Sequence, residues 1–413
     1  MNTLFVKIVR DDNSFTFKVT GYPDVFVKYP FSIRDTPQHI LNYMVGIILS
    51  EIITWKPVEA IKFSQLTERE MESIQDHICL HIKCNSYDMV VTKHIQVLVD
   101  EVVSDSDRDK VKDFKQSTIL ICNGMGKDGL SGILSVNDLF PGSGLGCTVV
   151  GQFKKVLMDS RRKLMASFYK ESGTRGIFID TNFTYVMIFK IIPWHMFLIP
   201  LCYTFKTNVI LSIFGYEQGK WDAAYLPIRP LIHPLSYYQV TDVTGITIGN
   251  PFWGLTVFGT QYLMAKIYEK YLGFQRSCIK ADGRCRKCTK CRGIEILLGA
   301  MKYSGKNYSY DVSYLKHEDY FNGYGLLTRE VDIECAKVVL KKTTDSWCFH
   351  LYKQAHAWSW EPLKYRKYLI DCGFKEIDTI DENVPYSQYK NQPRLWSDVR
   401  DSRSFWRSNG SIF

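Results

Sequence analysis

The chain has 413 residues, with 52 Lys and Arg against 43 Asp and Glu, a formal charge of +9. Hydrophobic residues make up 46% and charged residues 23%, which excludes a disordered chain, a collagen-like rod or a coiled coil as the dominant state. The length suits two or three domains of about 100–200 residues each, and the 12 cysteines exceed what a reduced cytosolic core requires, so their placement matters.

Residues 1–112 are predicted to form an N-terminal α+β unit. Met1–Arg10 carries no charged, apolar and small-residue sequence of a secretory signal, from which a cytoplasmic location is expected. Thr3–Arg10 and Ser14–Thr20 alternate apolar and polar residues around Asp11-Asp12-Asn13, a hairpin signal. Apolar residues recur at helical spacing from His39 to Trp55, Val58–Phe63 reads as a strand, and Thr67-Glu68-Arg69-Glu70 supplies a capping box for a helix towards His81. The charge-dense stretch Asp100–Lys115 reads as a linker.

Residues 113–300 alternate strands and helices, the pattern of a doubly wound parallel sheet. Ser117–Cys122 is a continuous apolar run, as expected of a strand buried on both faces. Further strands are predicted at Cys147–Val150, Gly176–Asp180 and Asn208–Phe214, with a helix over Phe153–Tyr169. Tyr185–Tyr203 has membrane length, but Lys190, Pro193, His195 and Pro200 interrupt it, so a buried helix is expected and no membrane partner. Residues 301–413, rich in Tyr, Trp and charge, are read as a mostly helical extension.

Two constellations carry chemistry. Four cysteines, Cys278, Cys285, Cys288 and Cys291, follow the spacing C-x6-C-x2-C-x2-C. Four thiolates close the tetrahedral shell that structural Zn²⁺ prefers, and an iron–sulfur cluster is the alternative for such soft ligands. Around them Lys280, Arg284, Arg286, Lys287, Lys290 and Arg292 face only Asp282. That basic knuckle is either a phosphate or RNA contact or a solvated surface offsetting the thiolate charge. The second constellation is the turn Asn123-Gly124-Met125-Gly126-Lys127-Asp128-Gly129 after the buried strand. Glycines let backbone amides turn inward as an anion nest, and the following helix adds its positive end. Lys127 can neutralise a phosphate, and Asp128 can coordinate Mg²⁺ or orient a nucleotide; a mere tight turn is the bland alternative. The spacing is not that of a Walker loop. Pro141–Gly146 reads as a connecting loop, Cys122 as strand packing, and His195 and His233 as core or surface residues.

Gly124–Gly129, followed by the late cysteine cluster, resembles the PP-loop ATP pyrophosphatase superfamily, whose loop reads approximately S-G-G-x-D-S. The cysteine order is similar to that of the 7-cyano-7-deazaguanine synthases. The N-terminal unit and Lys127 look more like the ATP-dependent UDP-N-acetylmuramoyl-L-alanyl-glutamate epimerases. The resemblance implies ATP, Mg²⁺ and Zn²⁺ as cofactors, with catalytic Lys127 and Asp128. It also implies a substrate carboxylate, on a small molecule, modified nucleoside or peptide, that attacks the α-phosphate of ATP to give an acyl-adenylate and pyrophosphate. Asn123, Gly124, Gly126, Lys127, Asp128 and Gly129 would hold the nucleotide, with Glu217 as a further acidic group. Gly124 and Gly129 stand where the pattern has serine and Met125 where it has glycine, which makes Ser131 the substitute hydroxyl. The alternative is a catalytically degenerate module that binds nucleotide, or binds RNA through the knuckle. A homo-oligomer or a protein partner stays open.

Overall fold

The computed structural model describes residues 2–54, 58–85, 95–114, 118–152, 157–183, 194–212, 239–249, 260–261 and 263–276, with positions 291, 294, 295, 298 and 304–306. Glu217, Cys278, Cys285, Cys288, the basic residues of the knuckle and the predicted helical extension lie outside the described residues.

Among the described residues, ten strands form one sheet. Its first half is β1 (Thr3–Arg10), β2 (Ser14–Val19), β3 (Val25–Lys28), β4 (Ala60–Leu66) and β5 (Gln96–Val102). Its second half is β6 (Ile119–Asn123), β7 (Gly144–Val149), β8 (Arg175–Thr181), β9 (Val209–Ser212) and β10 (Thr247–Gly249). The order across the sheet is β10-β9-β6-β7-β8-β3-β2-β1-β4-β5. Only the central joins, β8–β3, β3–β2 and β2–β1, are antiparallel; the flanking pairs are parallel. This is an α/β fold with a large, mostly parallel sheet, compatible with a Rossmann-like architecture.

The first half follows its sequence pattern closely. Alternation turns Leu4, Val6, Phe15 and Phe17 into the core shared with α1 (Gln38–Thr54) and α2 (Glu68–Asn85), where Phe15 meets Tyr29 and Phe17 meets Phe183. The two helices approach at Gly46, where a Cβ would lie 2.4 Å from the Ile74 side chain. The capping box forms: Thr67 Oγ1 accepts the Glu70 amide at 3.1 Å, and Glu70 Oε2 accepts the Thr67 amide at 2.8 Å. The stretch read as a linker is instead structured, because β5 runs to Val102 and α3 (Asp107–Lys112) anchors itself through the fully buried Val111.

In the second half, α4 (Lys127–Leu139) and α5 (Met158–Ser172) lie on one face. Ile133 and Val136 of α4 and Tyr169 of α5 fill the space that side chains would need at Gly144, Gly146 and Gly176. Gly144 and Gly146 therefore belong to β7, which starts three residues before the strand predicted at Cys147. The opposite face carries Leu120, Leu145, Cys147 and Ile179, which join the core with Phe197, Leu198 and Leu201. Those last residues come from a 3₁₀ turn at Trp194–Leu198 and from α6 (Ile199–Phe205). The helix predicted over Tyr185–Tyr203 is thus, where described, two short pieces; Pro200 sits in the first turn of α6, where its missing amide costs little. No helix among the described residues is long and apolar enough to cross a membrane.

The halves are joined through β3 and β8, with Val27 opposite Thr181 and Lys28 opposite Asp180. The Asn182 side chain continues the join, accepting the Phe26 amide and donating to the Asp24 carbonyl, each at 3.0 Å. One apolar core runs from Leu4 to Ile248.

Candidate functional site

The chain leaves β6 at the point where the sheet reverses its winding. From β6 it passes over one face through α4 to β7, whereas its other neighbour, β9, follows the 194–205 segment on the opposite face. A crevice opens beyond the carboxyl ends of two strands at such a switch point, which is where open α/β sheets bind ligands. The turn Gly124–Gly126 lies there and leads into α4.

Its shape depends on Asn123, which is fully buried. The Asn123 Oδ1 accepts the Met125 amide at 2.9 Å, closing an Asx turn. Its Nδ2 faces Met165 Sδ at 3.2 Å and donates towards Thr148 Oγ1 and the Tyr169 hydroxyl, each at 3.4 Å. Thr148 and Tyr169 bond each other at 3.0 Å. Burial pushes the Tyr169 phenol above its usual range, so it stays a neutral partner. Asn123, expected among the nucleotide ligands, is therefore committed to holding the turn.

Met125 has φ 58°, the left-handed conformation that glycine adopts at least cost, and its side chain is fully buried. Its carbonyl accepts the Arg276 amide at 2.9 Å, so the 269–276 segment clamps the turn from the other side. Phe168 of α5 stacks edge-on against Tyr271 and Phe274, and the Tyr268 hydroxyl donates to Asp138 of α4 at 2.9 Å, which fixes that segment.

Gly126 is the N-cap of α4 and offers no side chain to its first amides. Lys127 and Asp128 follow on the rim, partly buried, with Lys127 Nζ 3.0 Å from each Asp128 oxygen. Gly129 has no room for a serine, because a Cβ there would lie 2.5 Å from Asn123 Oδ1. Ser131 does not replace that hydroxyl. It is buried and donates back into the helix, to the Lys127 carbonyl at 2.6 Å and with a second contact to the Asp128 carbonyl at 3.1 Å.

Compared with models of protein families, with curated proteins and with solved structures, the chain matches none.

Cys122 packs in β6 opposite Cys147, and burial pushes its thiol up to about 12, which suits packing rather than nucleophilic attack. Cys291 is buried. Among the described residues no group of three or more His, Cys, Asp and Glu side chains is placed to hold a metal.

A second polar cluster escaped sequence reasoning. His39 of α1 is buried between Glu70 of α2, 2.7 Å from Nδ1, and Asp107 of α3, 3.0 Å from Nε2. Burial lowers the His39 pKa, but hydrogen bonds and charge from the two carboxylates outweigh it and the net shift is upward. Asp107 shifts down: desolvation opposes this, and bonds to Lys110 and His39 prevail. Two carboxylates at the two ring nitrogens call for a doubly protonated imidazolium. The three residues start three different helices, so no local spacing announces them; the capping box at Glu70 was the only signal.

Proposed function

We propose that the chain is an ATP-dependent enzyme of PP-loop type, which adenylates a substrate carboxylate with release of pyrophosphate. The observation that carries this reading is the place of the Gly124–Gly126 turn, at the switch point of the parallel half-sheet and directly before an N-terminus without a side-chain cap. ATP bound there would supply the activated phosphorus that a carboxylate attacks. The amides at the start of α4 would bind phosphate oxygens, and Lys127 would balance the charge that grows on departing pyrophosphate. Asp128 would take the Mg²⁺, with Glu217 as a second acidic candidate. Asn123 and Met125 keep the turn in shape rather than touching nucleotide, and Ser131 has no part in binding. Cys278, Cys285, Cys288 and Cys291 are proposed to hold one structural Zn²⁺, with metal analysis expected to find one per chain and a metal-free folded chain rejecting it.

The lack of hydroxyls in the turn favours a second reading, nucleotide or RNA binding without turnover. Gly124 and Gly129 have none, and that of Ser131 is committed to the helix. ATP–pyrophosphate exchange with a panel of carboxylates, in wild type and Asp128→Ala, separates the two. Exchange that falls at least about a hundredfold in the variant supports catalysis, in line with loss of one charge-stabilising group. Equal exchange in both rejects the role of Asp128. Nucleotide binding without exchange in either moves the reading to the binding module.

A further inference from the structure

Among the described residues, helices cover one face of the first half-sheet, and the other face is neither apolar nor simply solvated. Alternation along β1 turns Phe5, Lys7 and Val9 outward, and Phe5 is 55% exposed, Val9 44%. Across the hairpin Lys7 sits directly opposite Lys18, a like-charge pair on one face. On β3, Phe26 is 44% exposed, and Lys28 is turned the same way, opposite Asp180. Three carboxylates on this face already have partners: Asp24 with Lys18 at 2.8 Å, Asp100 with Lys62 at 2.5 Å, and Asp180 with Arg162. Lys7 and Lys28 have no carboxylate partner among the described residues. From strand spacing and rise, Phe5 and Phe26 stand about 16 Å apart on a diagonal that Lys7 and Lys18 interrupt.

We propose that this open face binds a single-stranded nucleic acid, with bases stacked on Phe5 and Phe26 and the backbone held by Lys7 and Lys28. Flat rings separated by cations match a polymer in which flat bases alternate with phosphates. A bilayer or an apolar protein surface would instead call for a contiguous apolar patch. The face is bounded by α5, whose Arg162 lies 4.9 Å over the Phe178 ring. RNA and DNA share this chemistry. The proposed site shares no residue with the turn after β6 or with the cysteine knuckle.

The test uses the full chain and fluorescence polarisation of labelled oligouridylate and oligothymidylate of about 12 nucleotides, within the size range of such sites. Wild type is expected to bind at least one, and the tighter of the two names the polymer. Phe5→Ala with Phe26→Ala is expected to weaken binding about tenfold or more. Lys7→Gln with Lys28→Gln is expected to lower the slope of log affinity against log salt by about 1.4. These positions are exposed, and the lysine pair serves if the phenylalanine pair does not fold. The proposal is overturned by no binding in wild type or by unchanged binding in both variants. It is equally overturned by loss confined to Arg284→Glu, Arg286→Glu and Lys287→Glu, by binding only to phosphatidylserine vesicles, or by a change of oligomeric state as the sole effect of the phenylalanine pair.

Discussion

Among the described residues, helices cover both faces of the second half-sheet but only one face of the first, and the two halves use their residues differently as a result. In β6, Ile119, Leu120 and Ile121 are all fully buried, whichever way they point. In β1, Leu4 and Val6 are buried while Phe5 and Lys7 between and beside them meet solvent. In the doubly covered half, β6 and β7 are buried on both sides, and the glycine turn opens at their strand ends. The singly covered half has a whole face to offer. Two proposed surfaces of different kind, an end crevice and an open sheet face, thus follow from where the helices lie.

Substitutions to alanine should separate the halves most sharply. A Cβ at Gly176 would fall within 2.1–2.3 Å of three atoms of the Tyr169 ring. Gly176→Ala is therefore expected to cost about 2–3 kcal/mol, read by denaturant unfolding, and to loosen the turn through Tyr169 and Asn123. Phe26→Ala on the open face should stay within about 0.5 kcal/mol of wild type. Equal effects at the two positions would erase the distinction.

The next effect belongs to the first half and depends on pH. His39 faces Glu70 from α2 and Asp107 from α3; Lys110 bonds the latter, and the buried Tyr203 of α6 feels both carboxylates. The folded His39 pKa is raised, so its stabilisation is complete below the ordinary value of 6.5 and is lost as pH rises through the folded value. The folded Asp107 pKa is lowered, so its stabilisation is present above the ordinary 3.8 and is lost as pH falls through the folded value. The difference in melting temperature between wild type and His39→Gln should peak in the weakly acidic window between these limits and shrink towards alkaline pH. A difference that does not vary with pH would refute the charged bridge. Smallest is the capping box, where Thr67→Ala should cost about 1 kcal/mol, and an unchanged unfolding midpoint would show that the α2 N-terminus does not need it.

What was legible in the sequence follows the same division. The apolar run of β6, the hairpin of β1 and β2 and the capping box at Thr67 are local signals and recur in the structure where expected. The short strands β3 and β10 have too few residues to show a period, and pairing with β8 and β9 defines them. Gly146 and Gly176 read as turn residues or weak strand positions until Tyr169 is placed over both. The turn Gly124–Gly129 was visible as a motif, but not the division of labour within it. That Asn123 supports, that Met125 substitutes for glycine at a left-handed position, and that Ser131 points inward are tertiary facts. The His39 cluster joins residues 31 and 68 positions apart, which no window captures.

The most direct measurement is calorimetric titration of the full chain with ATP and Mg²⁺, in wild type and in Lys127→Met. Wild type is expected to bind one nucleotide per chain, and the variant, folded to the same melting temperature, to bind at least about tenfold more weakly, as loss of one phosphate-directed charge requires. Wild type that takes up no nucleotide, or a variant that binds it equally well, would contradict the assignment of the β6–α4 turn.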